Sequence, residues 1–396
     1  MRETRAPGVR IEGRVSKGFE PVREAFAHNF EAHGEVGAAV CVLRDGEPVV
    51  DLWGGLADPA TRRAWERDTM ALVFSTTKGV TAACIARLAE RGVIDVEAPV
   101  ARYWPEFAAN GKAEIRVSDV MTHRAGLAEV EGRFTLEEAC AADAVCAALA
   151  KQAPQWPPCS AHGYHARTYG WILGEVVRRA TGERFGAVLA REIAAPLGLE
   201  YDLFVGLPAR YDARVARTLP APAPTDPKER ELRERFMGPD SRLGRVLSGP
   251  SNLFEYGDMW NTRLLRGAEM PSSNGVATAR ALARVYASLV GPVDGVRLLS
   301  PETVARFRAP QVDGPDLVIL VPTRFGLGFA LPPMLSPEAP ASCFGHPGAG
   351  GSLAFADPDS RIGFGYAMNQ MQLVLTGDAR AASLVRAIYA SLRRPR

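Results

Sequence analysis

Short β-like runs stand near both ends of this 396-residue chain, and helical patterns fill the stretch between them. Residues 36–55 contain two such runs around Asp45-Gly46, a dipeptide that strongly favours a tight hairpin turn. The late runs are residues 325–331, 352–357 and 362–368, with a turn at Asp357–Ser360. This arrangement predicts an α+β fold with one sheet built from both ends of the chain. We expect residues 1–90 and 290–396 to form an α/β sandwich and residues 91–289 to form an inserted, mainly helical domain.

Helical periodicity marks the elements around that sheet. Phe19, Val22, Phe26 and Phe30 recur on one face of a first helix, so the chain is expected to begin with a helix followed by two strands. Further helices are predicted from Ser75 to Gly92, over residues 168–182, and at the end of the chain, where Leu384, Val385, Ile388 and Leu392 share a face. Residues 219–229 are interrupted by prolines and are predicted to form an exposed loop or flap.

Composition excludes several classes of partner and cofactor. The net charge is +2 and no Lys/Arg run occurs, so we expect neither nucleic acid nor an anionic membrane surface as a partner. No stretch is long and apolar enough to span a bilayer, and the charged N-terminus has no apolar core of a secretion signal, which predicts a cytoplasmic protein. The six cysteines form no C-x-x-C pair and the histidines show no metal-ligand spacing. We expect free thiols, no metal and no cofactor.

The segment Phe74-Ser75-Thr76-Thr77-Lys78 holds the one S-x-x-K of the chain. If Ser75 opens a helix, Lys78 lies one turn further on the same face, within reach of the hydroxyl. A serine becomes a good nucleophile when a base accepts its proton, and a lysine can do so where burial or a nearby cation disfavours its charged form. Arginine cannot, yet the chain keeps lysine here although arginine heavily outnumbers it. The alternative is a helix-capping serine beside a solvated lysine.

Beyond this motif the sequence resembles a known family over nearly its whole length. The likeness lies in Arg91–Asp95, Tyr103–Pro105, Met121–Leu127, Ser273–Gly275 and the helical pattern over 279–289. The chain resembles the serine hydrolases that share the fold of class C β-lactamases and penicillin-binding proteins, and among them the family VIII carboxylesterases. The resemblance implies a β-lactamase/transpeptidase-like fold, with an antiparallel sheet flanked by helices.

Residues 163–169 are similar to the second motif of this family, which begins with a tyrosine that helps to move protons. The resemblance implies that role for Tyr164, with Tyr169 as a competitor whose place in a helical pattern favours the core. Since a tyrosine beside a lysine ammonium loses its proton more readily than in water, we expect Lys78 and Tyr164 to share proton transfer. The β-lactamases usually carry Asn two residues after the tyrosine. Ala166 stands there in this chain, which argues against efficient β-lactam turnover.

His346-Pro347-Gly348 is similar to the third motif, normally Lys-Thr-Gly on a strand along the pocket. Histidine is largely neutral near pH 7, so His346 removes a permanent cation that would hold a substrate carboxylate. The resemblance implies that the N–H of Ala349 joins that of Ser75 in an oxyanion hole, with His346 and Gly348 at the substrate site. The alternative is a strand-end turn in which His346 only packs.

Several other residues remain open as candidates. His123 is expected to be a structural hydrogen-bonding residue. His162 and His165 flank Tyr164 and either touch substrate or support a loop. The apolar side chains that either line an acyl pocket or belong to the core are Trp156, Trp260, Phe236 and Met237.

The sequence therefore predicts a serine carboxylesterase that hydrolyses small-molecule, short-chain esters through an acyl-enzyme on Ser75, with Lys78 and Tyr164 as general base and acid. No G-x-S-x-G pentapeptide occurs, which argues against an α/β-hydrolase. A fold does not by itself fix a reaction. A β-lactamase, D-amino-acid peptidase or amidase on the same scaffold is the alternative, and a non-catalytic acyl- or peptidoglycan-binding relative is a further one.

Overall fold

The computed structural model describes residues 9–393. Its strands are β1 (Ile11–Val15), β2 (Gly37–Arg44), β3 (Glu47–Asp58), β4 (Arg63–Ala64), β5 (Ala71–Leu72), β6 (Leu203–Phe204), β7 (Val276–Ala277), β8 (Val312–Pro315), β9 (Pro322–Phe325), β10 (Phe344–Pro347), β11 (Leu353–Asp357) and β12 (Ile362–Met368). The main sheet is antiparallel in the order β1-β3-β2-β12-β11-β10, and β4 pairs with β3. Two small sheets, β5-β7-β6 and β8-β9, lie outside it.

The two ends of the chain meet at the β2–β12 pair in the middle of the main sheet. Cys41 of β2 is paired with Gly365 of β12, and Val42 is paired with Phe364. Because side chains alternate along a strand, Val40 and Val42 belong to one hydrophobic core while Cys41 and Leu43 belong to the other. Both faces of β2 are therefore covered, and the predicted sheet from both chain ends is confirmed.

Helices cover both faces of this sheet. The helices of residues 9–393 are α1 (Glu20–Ala32), α2 (Thr76–Glu90), α3 (Val117–Met121), α4 (Leu136–Ala141), α5 (Asp143–Lys151), α6 (Thr168–Thr181), α7 (Phe185–Leu189), α8 (Pro227–Met237), α9 (Arg242–Ser248), α10 (Arg263–Gly267), α11 (Ala279–Val290), α12 (Pro301–Arg308) and α13 (Ala379–Leu392). Helices α1 and α13 pack together over one face, and α11 lies on the other, with α2 beside it against β10 and β11. No helix within residues 9–393 has both the length and the apolar character needed to cross a membrane.

Two glycines of β12 explain how closely α11 approaches the sheet. A Cβ atom at Gly363 would collide with the backbone of Ala283 and Ala287, and one at Gly365 with the backbone of Ala279. The missing side chains let the α11 backbone lie directly on the strand. The division of the chain near residues 90 and 290 stays a prediction, and α11, just before the second boundary, is part of the layer on the sheet.

Three sequence-based expectations differ from the structure. Within the described residues the first element is a strand and not a helix, because β1 precedes α1 and pairs with β3 at the edge of the sheet. Partial exposure of β1 and a left-handed Gly13 remove the alternation that marks a strand. Of residues 325–331 only Phe325 lies in a strand. Residues 219–226 form the expected loop, but Pro227 begins α8, where the Asp226 side chain accepts the Lys228 N–H as a helix cap. The six cysteines are free, as expected.

Candidate active site

Ser75 lies at the N-terminus of α2 and is partly exposed. The preceding residue, Phe74, has a φ of +42°, a left-handed conformation that is rare for a bulky side chain. Its ring is held between Tyr256 and Trp260, with centroid distances of 5.4 and 5.1 Å. The Ser75 side chain makes no capping hydrogen bond to α2. Its hydroxyl is therefore not used by the helix, which argues against the capping alternative.

Lys78 is completely buried, one turn after Ser75. Its Nζ lies 3.3 Å from Ser75 Oγ and donates to two backbone carbonyls, Ala166 O at 2.7 Å and Ser272 O at 3.0 Å. Burial, and to a smaller extent the charge of Arg167, place the pKa of Lys78 well below its usual value. The lysine is not solvated, and it has the contact to Ser75 that the S-x-x-K spacing predicts.

Tyr164 reaches the same point from the segment before α6. Its ring centroid is 4.9 Å from Lys78 Nζ, and the residue lines the same cleft as Ser75. Burial raises the pKa of Tyr164, although the neighbouring Ser75 side chain acts in the opposite direction. The expectation of an easily ionised tyrosine is therefore wrong, because burial of the phenol outweighs the influences that lower its pKa. Tyr169 donates to the backbone carbonyl of Lys78 at 3.4 Å and lies in the core.

The β8–β9 hairpin holds the Tyr164 segment in place through Asp316. This buried carboxylate accepts the backbone N–H of Tyr164 at 3.1 Å, besides two N–H groups of its own loop. Its second oxygen accepts the Thr323 hydroxyl at 3.1 Å, and Thr323 Oγ1 in turn lies 2.9 Å from His162 Nε2. His162 is thus a buried support of the loop.

His123 and His165 are also supports. The N–H of His165 donates to His123 Nδ1 at 3.1 Å, and the N–H of Leu127 donates to His165 Nε2 at 3.0 Å. Burial lowers the pKa of His165 to about 4 and that of His123 well below its usual value, so both are neutral. The hydrogen-bonding role predicted for His123 is present, and Trp156 is core beside them.

The turn after β10 is fastened to the start of α2. The Gly348 N–H donates to Ser352 O at 2.7 Å, and the Ser352 hydroxyl donates to Val73 O at 2.8 Å and lies 3.0 Å from Thr76 Oγ1. A Cβ atom at Gly348 would come within 3.0 Å of all three partners, so only glycine permits this approach. Because the turn lies so close to α2, Ala349 is placed beside Ser75. The Gly348 N–H is used inside the turn and cannot donate to a substrate.

Two backbone donors remain unused at this junction. Within residues 9–393, neither the Ser75 N–H nor the Ala349 N–H has a hydrogen-bond acceptor. His346 lies next to them with its Nδ1 2.7 Å from Pro347 O, so Nδ1 carries the proton and Nε2 is a free acceptor. Burial, followed by the charge of Lys78, lowers the pKa of His346 to about 3. The ring is therefore neutral, as the third motif led us to expect.

A cleft of about 370 Å³ opens above these groups. It is lined by Ser75, Tyr164, Leu247, Tyr256, Ile319, Met334, His346, Pro347, Ala349, Leu375 and Thr376. A neighbouring hollow of about 420 Å³ shares Tyr256, Ala349 and Leu375 with it and extends to Met237 on α8. Both are mostly apolar. Of the proposed apolar candidates only Met237 lines this space, since Trp260 is core and Phe236 is exposed.

Sequence reasoning missed most of the cleft wall. Tyr256, Ile319 and Leu375 come from three separate loops, and no local pattern distinguishes them from other apolar residues. It also missed Arg167, a buried guanidinium beside Ala166 whose charge acts on Lys78. The one available signal was the position of Arg167 directly after Ala166, within the segment similar to the second motif.

Two features define the β-lactamase-like class of serine hydrolases. The serine is paired with a buried lysine instead of a histidine, and strands from both ends of the chain form one antiparallel sheet. The Beta-lactamase family model matches residues 22–387, and the chain belongs to this family. It is 38% identical to Esterase/beta-lactamase LipL of Mycobacterium tuberculosis, over 94% of this chain and 86% of LipL.

Solved structures agree with this assignment. A family VIII carboxylesterase superimposes with a TM-score of 0.87 at 38% identity, covering 96% of this chain and 100% of the other. A penicillin-binding protein homolog from Caulobacter crescentus gives a TM-score of 0.84 at 38% identity, over 96% and 100% of the two chains. The predicted fold class and family resemblance are confirmed, and the protein is a serine hydrolase.

Proposed function

We propose that this protein is a carboxylesterase that hydrolyses short-chain acyl esters through an acyl-enzyme on Ser75. The observation that carries the proposal is the set of three contacts around Lys78 Nζ. A neutral amine has two N–H donors and one lone pair. Because the carbonyls of Ala166 and Ser272 accept the two N–H groups, the lone pair is left for the hydroxyl of Ser75. The burial that lowers the pKa of Lys78 maintains this neutral form.

The reaction would proceed in two half-reactions. Ser75 Oγ attacks the ester carbonyl while its proton passes to Lys78, and the new oxyanion accepts hydrogen bonds from the N–H groups of Ser75 and Ala349. Tyr164 then gives its phenol proton to the departing alcohol and recovers one from the Lys78 ammonium. Its raised pKa suits this role, since the phenol stays protonated until the alkoxide develops. In the second half the same pair takes a proton from water, whose oxygen attacks the acyl group. The pair then returns a proton to Ser75 Oγ as the ester bond breaks and the acid leaves.

The apolar, cation-poor cleft favours a neutral ester over a substrate with a carboxylate. His346 is neutral where the family motif has a lysine, and Ala166 replaces the asparagine of the β-lactamases. The relatives at 38% identity include a family VIII carboxylesterase, which supports the ester. A second activity toward β-lactams is the other candidate, because LipL carries both activities in its name.

The test compares initial rates on p-nitrophenyl butyrate, a chromogenic cephalosporin and a D-alanyl amide. We expect the butyrate ester to be preferred by a wide margin in kcat/KM. Ser75→Ala should abolish turnover, while Ser160→Ala, at an exposed serine outside the cleft, should leave it unchanged. A fluorophosphonate adduct should map to the peptide containing Ser75. Retained activity in Ser75→Ala, or an adduct on another peptide, would contradict the proposal.

A further inference from the structure

Arg380 lies in the first turn of α13 and is buried against the turn that follows β10. Its side chain is 1% exposed, and each of its five N–H groups has an acceptor. Nε and Nη2 donate to the two oxygens of Asp378 at 3.1 and 2.8 Å, and Nη1 donates to Glu35 at 3.1 Å. The other two N–H groups donate to backbone carbonyls, Gln370 O at 2.8 Å and Gly350 O at 2.6 Å. The guanidinium therefore has one fixed position and orientation.

The contact to Gly350 is made on the turn that carries the proposed oxyanion donor. Gly348 O accepts the Gly351 N–H at 3.1 Å, so these residues close a β-turn with Ala349 in its second position. Gly350, in the third position, has a φ of +86°, a left-handed conformation that suits glycine. A Cβ atom at Gly351 would lie 2.5 Å from Arg380 Nη2. The backbone of the turn therefore lies directly against the guanidinium.

The turn is fastened at two places. Next to α2 it is held through Gly348 and Ser352, as described above. At the other place the Gly350 carbonyl accepts both Arg380 Nη2 and the Gln372 N–H, the latter at 3.1 Å. The residue between the two fastened glycines is the one whose N–H faces the cleft.

The carboxylates that hold Arg380 are themselves held. Asp378 Oδ1 also accepts the backbone N–H groups of Arg380 at 2.9 Å and Ala381 at 3.3 Å, and so caps α13. The second oxygen of Glu35 accepts the hydroxyl of Tyr366 on β12. The guanidinium is thus fixed to the start of one helix and to the central strands of the sheet, and it passes this rigidity on to the turn.

Stability alone does not explain such an arrangement, because the cost of desolvating buried charges offsets most of their attraction. What the guanidinium supplies is a rigid plane of directed donors. We propose that Arg380 is a positioning residue of the hydrolase: it fixes the Gly350 carbonyl and thereby the direction in which the Ala349 N–H meets the oxyanion. This inference rests on the proposed acyl-enzyme on Ser75. It adds the side chain that orients one of the two oxyanion donors.

Arg380→Lys tests the directed donors. The variant keeps the positive charge opposite the two carboxylates but places its three N–H groups on one atom, so it cannot reproduce the planar set of contacts. We expect kcat for p-nitrophenyl butyrate, per active site titrated with a fluorophosphonate, to fall about tenfold to a hundredfold, with KM changed by less than about threefold. The inhibition constant of a trifluoromethyl ketone, whose addition to Ser75 creates an oxyanion, should rise by a similar factor.

Ile388→Ala is the matched control, because it opens a cavity under the same helix and its apolar side chain makes no hydrogen bond to the turn. It should lower the melting temperature and leave kcat per active site unchanged. Asp378→Asn is a second test and replaces Arg380→Lys if that variant does not fold. Its Oδ1 still caps α13, but an N–H group takes the place of the oxygen that accepts Nη2, so kcat should fall in the same way.

A folded Arg380→Lys protein with kcat per active site within about threefold of the original would overturn the inference. An unchanged inhibition constant for the ketone would do the same, since Arg380 would then only stabilise the fold. The proposed function fails by a different result: the unmodified protein would not hydrolyse the ester, or Ser75→Ala would retain turnover.

Discussion

Replacing Gly348 by alanine tests whether the turn after β10 sets the position of the oxyanion donors. The added Cβ atom would meet Ser352 Oγ, Val73 O and Thr76 Oγ1, all inside 3.0 Å. The most distant of these, Thr76 Oγ1 at 2.9 Å, is already 0.5 Å inside the 3.4 Å at which ordinary contacts begin. Val73 O is closer and belongs to the backbone, so it cannot rotate away. We expect the turn to move away from α2 by about 1 Å, a displacement that typically costs about a hundredfold in rate.

That movement would take the Ala349 N–H away from the oxyanion while leaving the Ser75–Lys78 contact in place. Loss of one such donor costs about 10²–10³ in kcat, or roughly 3–4 kcal/mol of transition-state stabilisation. The assay is kcat and KM for p-nitrophenyl butyrate, with thermal unfolding measured alongside. Gly291→Ala is the control, because a Cβ there meets nothing within 4 Å and its backbone is extended. A folded Gly348→Ala protein with kcat within threefold of the original would refute the reasoning.

Two further substitutions test the proton-transfer groups. Lys78→Arg replaces the neutral amine with a permanent cation that has no basic lone pair, so kcat should fall by about 10³ or more; a near-normal rate would remove lysine from the mechanism. Tyr164→Phe keeps the ring that stacks on Phe325 but loses the proton donor, so kcat should fall by about 10²–10⁴ while the melting temperature changes little. Unchanged turnover in Tyr164→Phe would assign the leaving-group proton to another residue.

Local patterns predicted the parts of the site that depend on local structure. The hairpin at Asp45-Gly46 and the Ser75–Lys78 spacing follow from chain geometry within a few residues, and both are present. The direction of the Tyr164 pKa could not be obtained this way. It is set by burial of the phenol itself under segments far away in the sequence.

The same limit applies to the cleft wall and to the edge of the sheet. Tyr256 and Leu375 are lining residues only because separate loops converge there, and periodicity carries no information about loop convergence. Strand β1 was not predicted, because an edge strand with one side open to water needs no strict apolar alternation.

The pairing of β2 with β12 also determines when the fold can be completed during protein synthesis. The ribosome makes Ser75 early, but the turn that carries Ala349 and the strand that covers the β2 edge follow more than 250 residues later. Until then β2 presents an unpaired, apolar edge, which is a template for aggregation and a target for chaperones. The proposed acyl-enzyme on Ser75 therefore cannot form before the C-terminal strands have docked, so hydrolytic activity itself reports that folding is complete.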